Sequence, residues 1–184
     1  MSDMNFTHCI VVGRKNDIKK IYNLFKKYED SPNLIYGFVP LVNLVEELDC
    51  RINKQNFLTT YKVHKLSEDG QRLDFYLQGR RGHPYFELKF LEKFFSRHNI
   101  KLYYFSNSEC FDYKTNDKKG LYFKTKFVVD YLDEVYLNTW NEVLDTVSQL
   151  VNQKITSKEQ LEDILEEVNT LDSEHITVTE VQIV

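Results

Sequence analysis

The sequence predicts an α+β protein, an antiparallel sheet with helices on one face and a C-terminal α–α–β extension. Two observations carry this reading. Apolar and aromatic residues alternate in several segments bounded by turn residues, as half-buried strands require. In other segments they recur every three or four residues, as amphipathic helices require. The predicted order is β–α–(short α)–β–β–α–β–β, then α–α–β.

Residues 7–13, THCIVVG, are β-branched and apolar and end in glycine, which reads as a buried first strand. In RKNDIKKIYNLFKKYE, Ile18, Ile21, Tyr22, Phe25 and Tyr28 form a helical stripe with Asn16 as the expected N-cap. DSPN at 30–33 ends that helix. A short extended piece then runs to Val39, and Pro40 opens a short helix around 41–49. Residues 57–66 alternate as a strand, and 71–79 is its hairpin partner. SEDG between them is a tight turn, with Gly70 where a positive φ is tolerated.

Pro84 suits the first turn of a helix whose stripe is Tyr85, Leu88, Leu91 and Phe95. Strands are expected at 100–108 and 121–132. The polar stretch between them, NSECFDYKTNDKKGLYF at 107–123, reads as a hairpin rim, with Asn116, Asp117 and Gly120 as loop residues. It does not read as a calcium loop, because Lys114, Lys118 and Lys119 fall among the would-be ligands and Gly120 comes too late. Two helices follow. The first carries Trp140, Val143, Leu144, Val147 and Leu150 on one side. The second starts on the capping-box pair Ser157 and Gln160 and buries Leu161, Ile164, Leu165, Val168 and Leu171. HITVTEVQIV closes the chain as a strand.

The stretch from RLDFYLQGRRGHPYFELKFLEKFF to LYYFSNSECFDYKTNDKKGLYF resembles the C-terminal half of a family of ferredoxin-like proteins common in phages and mobile elements. The matching pieces are Phe75 and Tyr76, Pro84, Leu88 to Phe95, and Leu102 to Phe105, and they cover about a third of the chain. The family's Trp-Ser-Pro-Pro before the helix is replaced here by GRRGHP. The resemblance implies a ferredoxin-like β–α–β plait and brings no catalytic residue with it.

The 184 residues suffice for one domain with an appendage. The chain contains no alanine, and Lys, Asn, Ile, Tyr and Phe are abundant. That usage points to an AT-rich genome, of a bacterium or of a phage or mobile element within one. No apolar run is long enough to span a membrane, and the start lacks the features of a signal peptide, so a cytoplasmic protein is expected. Cys9, Cys50 and Cys110 are odd in number and far apart, which argues against a disulfide framework or a zinc site. The five histidines show no metal-ligand spacing, and nothing marks a histidine as the base for a nucleophilic Cys110. No catalytic residue, metal or cofactor is therefore expected.

The net charge of −4 hides an asymmetry. Residues 1–129 hold 22 Lys+Arg against 15 Asp+Glu, a net of +7, whereas 130–184 hold only Lys154 and Lys158 against 13 acids, a net of −11. This suggests a basic body, 1–132, and an acidic extension, 133–184. Glu159, Glu162, Asp163, Glu166 and Glu167 form the acidic face of the last helix. They make it the candidate surface for a protein partner, a basic one above all, that the chain would modulate, inhibit or help assemble. The alternative is nucleic-acid binding through Arg80 and Arg81, in a glycine-flanked turn before a helix N-terminus, with Lys15, Lys19 and Lys26. Aromatic and basic residues also interleave in LYYFSNSECFDYK and LYFKTKF. On an open sheet such residues stack single-stranded bases, but on a covered one they are core.

Overall fold

The computed structural model describes residues 4–29, 39–40, 59–60, 65–80, 85–108, 112–171 and 175–184. In chain order the elements are β1 (Met4–Val12), α1 (Lys15–Glu29), β2 (Val39–Pro40), β3 (Thr59–Thr60), β4 (Lys65–Leu66), β5 (Arg72–Arg80), α2 (Tyr85–Arg97), β6 (Lys101–Ser108) and β7 (Lys114–Thr115). Then come β8 (Phe127–Asp130), β9 (Glu134–Leu137), α3 (Trp140–Leu150), α4 (Lys158–Leu171), β10 (Thr177–Glu180) and β11 (Gln182–Ile183). The chain is α+β, as expected, and divides into two compact units, Met1–Asp117 and Lys118–Val184.

In the first unit the strand order is β7-β6-β1-β5-β3-β2, with β4 also on β5, and these neighbours all run antiparallel. β1 lies between β5 and β6, which α2 connects. Alternation on β1 separates two faces. Asn5, Thr7, Cys9 and Val11 share one face with Leu73, Phe75 and Leu77 of β5 and with Leu102, Tyr104, Ser106 and Ser108 of β6, and all are buried. α1 covers this face, with the Phe25 and Phe75 rings 4.9 Å apart. α2 covers it at β6, where burial first, and then Glu92 and Tyr85, raise the pKa of Tyr104. α2 ends in a Schellman turn: Asn99 takes φ 56° and the Ile100 N–H donates to the Phe95 carbonyl. Gly13 follows β1 where the chain passes close to Ile100: a Cβ there would lie 3.0 Å from Cγ1 of Ile100.

One end of the covered face is polar. Asn5 Nδ2 donates to Ser106 Oγ and to the Asn107 carbonyl, both at 2.8 Å. Thr7 Oγ1 donates to Asn5 Oδ1 at 2.9 Å and lies 3.0 Å from Ser106 Oγ. Asn5, Thr7 and Ser106 are fully buried, so each satisfies the others where water does not reach.

The second unit has a three-stranded antiparallel sheet, β10-β8-β9, beside α3 and α4. Its core is Phe127, Val129, Leu137, Val143, Val147, Ile155, Leu161 and Ile176. α3 begins in a capping box between Thr139 and Glu142 and ends with Asn152 at φ 51°.

Several sequence expectations need correction. The 107–123 stretch is not the rim of a hairpin joining two long strands. It contains β7, which pairs with β6, while β8 belongs to the second sheet and starts only at Phe127. Asp117 is buried. Asn116 acts as a strand surrogate, accepting from the Tyr104 N–H at 2.8 Å and donating to the Leu102 carbonyl at 2.9 Å. It thereby closes part of the edge of β6. β9 went unforeseen, because four residues between a hairpin turn and a helix carry too little periodicity. Asn16 lies inside α1, whose first turn bonds to the Arg14 carbonyl. Tyr85, Trp140 and Leu150 are exposed rather than core. At α4, Ser157 accepts from the Gln160 N–H, but the Gln160 side chain reaches back to Thr156. Gly70, at φ 71°, turns as expected. The expected helix at 41–49 lies outside the described residues.

Thr7→Val keeps the shape of the side chain but leaves Asn5 Oδ1 and the Ser106 hydroxyl with a buried deficit. Urea denaturation should report a loss of about 1–3 kcal/mol, against a negligible change for a surface control such as the exposed Lys119→Ala.

Candidate functional site

Two surfaces stand out. The first is the acidic face of α4. Leu161, Ile164, Leu165 and Val168 are spent on the core of the second unit, and Glu159, Glu162, Asp163, Glu166 and Glu167 are all exposed. Glu159 with Asp163, Glu162 with Glu166, and Asp163 with Glu167 are like charges four residues apart, which disfavours the helix. The last turn of α4 contains no basic residue to complement the helix dipole. Lys158 pairs with Glu162 at 3.7 Å, and its Nζ lies 5.4 Å from the centre of the half-exposed Trp140 ring. Hydrogen bonds at the N-terminus, chiefly from its own backbone and from Ser157, hold Glu159 below the usual carboxylate range.

The second surface is the face of the first sheet opposite α1 and α2. The register arranges it in rows. Lys101, Val12 and Arg72 form one row; Tyr103, Ile10, Asp74 and Lys65 form the next. Phe105, His8 and Tyr76 follow, then Asn107, Phe6, Gln78 and Thr59, and last Met4 and Arg80. The rings of His8 and Tyr76 stack at 4.5 Å and 17°. Tyr76 is 39 % and Phe6 42 % exposed. Arg72 grips Asp74 through Nε and Nη2, both at 2.6 Å, and His8 Nε2 lies 3.8 Å from the same carboxylate. Burial lowers the pKa of His8, and Arg72 adds to that while Asp74 opposes it, so the ring is neutral at pH 7.

Of the expected nucleic-acid residues, three lysine side chains are described. Lys15, Lys19 and Lys26 are exposed on α1. Lys15 lies beside Gly70, near the Val12 end of β1, whereas Arg80 pairs with Met4 at the other end. The Arg80 side chain and all of Arg81 lie outside the described residues, as do His64, His83, Cys50 and Cys110. Cys9 is buried, which pushes its thiol pKa far up and leaves it unreactive. Among the described residues no group of three or more His, Cys, Asp or Glu could hold a metal ion. Among them, too, no helix is long and apolar enough to cross a membrane. Phe6 falls outside the expected first strand, which begins at Thr7, and His8, inside that strand, is read from sequence only as a histidine without metal-ligand spacing. The alternation in NFTHC, with Phe6 and His8 out of phase with Thr7 and Cys9, was the available signal. No family model, curated protein or solved structure matches the chain.

A histidine whose folded pKa is depressed favours the fold only while neutral. Its contribution is complete above the unfolded value of about 6.5 and is lost as pH falls through the lower folded value. Urea midpoints measured from pH 7.5 downward should therefore drop in this range, and His8→Phe should flatten that limb.

Proposed function

We propose that this chain is a non-enzymatic protein-binding factor of phage or mobile-element type. It acts in the cytoplasm on a basic partner, and the acidic face of α4 is the contact surface. The observation that carries the reading is the composition of that face. Five carboxylates stand exposed on a helix that they weaken, through three like-charge pairs four residues apart. Glu162 with Lys158 and Glu159 at the helix N-terminus only partly offset that repulsion, whereas a basic partner would be steered and oriented by the whole face. The unit that contains the helix holds 6 Lys+Arg against 13 Asp+Glu, and the first unit 18 against 15. A partner that handles nucleic acid would present the matching positive surface.

The first unit is, in this proposal, a ferredoxin-like plait. The order β6-β1-β5-β3, with α1 and α2 on one face, supports it. β7 and β2 are then additions at its two edges. A second reading, nucleic-acid binding through Arg80, Arg81, Lys15, Lys19 and Lys26, draws support from the exposure of the three lysines.

The test is affinity capture from a nuclease-treated bacterial lysate. The intact chain is compared with a variant carrying Glu159→Gln, Glu162→Gln, Asp163→Asn, Glu166→Gln and Glu167→Gln. The parent should retain a stoichiometric basic protein that the variant loses. The variant should melt close to the parent, because the relieved like-charge pairs, about 0.2–0.5 kcal/mol each, offset the loss of the Lys158–Glu162 pair and of the Glu159 carboxylate at the helix N-terminus. A partner retained equally by both chains would refute the acidic face as the contact. Capture of nucleic acid alone, once nuclease is omitted, would favour the second reading.

A further inference from the structure

We propose that the face of the first sheet opposite α1 and α2 binds single-stranded nucleic acid, with bases stacking on Tyr76 and Phe6. This goes beyond the acidic helix and uses none of its residues. The stacked His8 and Tyr76 rings make one aromatic plate, of which Tyr76 is the more exposed member. Phe6 is the diagonal neighbour of Tyr76, one row away across the β1–β5 pair. Such diagonal positions are about 7–8 Å apart, so the two rings can serve two bases. Each ring is near 40 % exposed, and its solvent-facing surface is of the kind on which unpaired bases stack without regard to sequence.

Charge selects the occupant. Among the described side chains, the rows of this face contain Lys65, Arg72 and Lys101 against one carboxylate, Asp74, which Arg72 pairs. The surplus is positive and sits toward the Val12 end of the β1–β5 pair, beside the aromatic rows, where a backbone crossing the sheet would carry its phosphates. Asn107 and Gln78 stand on either side of Phe6 in the same row and offer amide donors and acceptors to base edges. The neutral state of His8 keeps the plate uncharged where a base would lie. A duplex keeps its bases stacked on one another, so their faces are closed to such a plate.

The experiment is fluorescence anisotropy with the full-length chain and labelled oligothymidine, alone and annealed to oligoadenosine. The single strand should bind, and more weakly as salt rises. The duplex should bind at least tenfold more weakly. Tyr76→Leu and Phe6→Leu should each weaken single-strand binding about tenfold, while Tyr76→Phe and Phe6→Tyr, which keep the ring, retain it. Circular dichroism checks that the leucine variants fold. No binding of the single strand would overturn the proposal. So would folded leucine variants that bind like the parent, or equal affinity for the duplex. Binding abolished only by Lys15→Gln, Lys19→Gln and Lys26→Gln would also overturn it and assign the affinity to α1. Failure of the acidic-face reading leaves each of these outcomes unchanged.

Discussion

The two-sided pairing of β1 is the constraint on which the first unit depends. All nine of its residues have a partner on β5, and eight have one on β6. A slip of one residue against either neighbour would turn every side chain to the wrong face. Cys9 and Val11 would leave the layer under the helices, and Phe6 and His8 would enter it. The polar cluster adds a second lock at the Asn5 end. Asn5, Thr7 and Ser106 satisfy one another only in this register, and a displaced strand would bury donors and acceptors without partners. Apolar packing at one end and a closed hydrogen-bond cluster at the other thus specify the same alignment.

That alignment has a consequence for function. Because one face of β1 is committed to α1 and α2, the residues that alternate with it are gathered on the other. Tyr76 and Phe105 are distant in sequence from Phe6 and His8 and from each other, and the register alone makes them neighbours. The second unit divides its labour differently. There a single helix, α4, gives its apolar stripe to the core and turns its acids outward. A core strand organises the surface of one unit and an amphipathic helix that of the other.

Much of this architecture was legible in the sequence. β1, α1, the turn at Gly70, β5, α2, β6, α3 and α4 all stand where periodicity and turn chemistry put them. What escaped was set by long-range partners. Asn116 and Asp117 look like loop residues in TNDKKG, yet Asn116 bonds to the backbone of β6 and Asp117 is buried. Nothing local announces such a role. Tyr85 keeps the helical period of Leu88 and Leu91 but stands exposed at the start of the helix. The acids of α4 were readable because an exposed face needs no partner to define it. The aromatic face was not, because its residues come from three strands whose mutual register the sequence does not state.

Residue-resolved hydrogen exchange tests most directly whether β1 is the strand on which the first unit depends. The amides from Asn5 to Val11 should exchange only through global unfolding, with opening free energies equal to the stability of the unit. The amides of α1 and α2 should open at or below that value. If the β1 amides instead exchanged through a smaller opening while α2 and β6 stayed protected, β1 would be peripheral to the fold, and its two-sided pairing would not be what holds the first unit together.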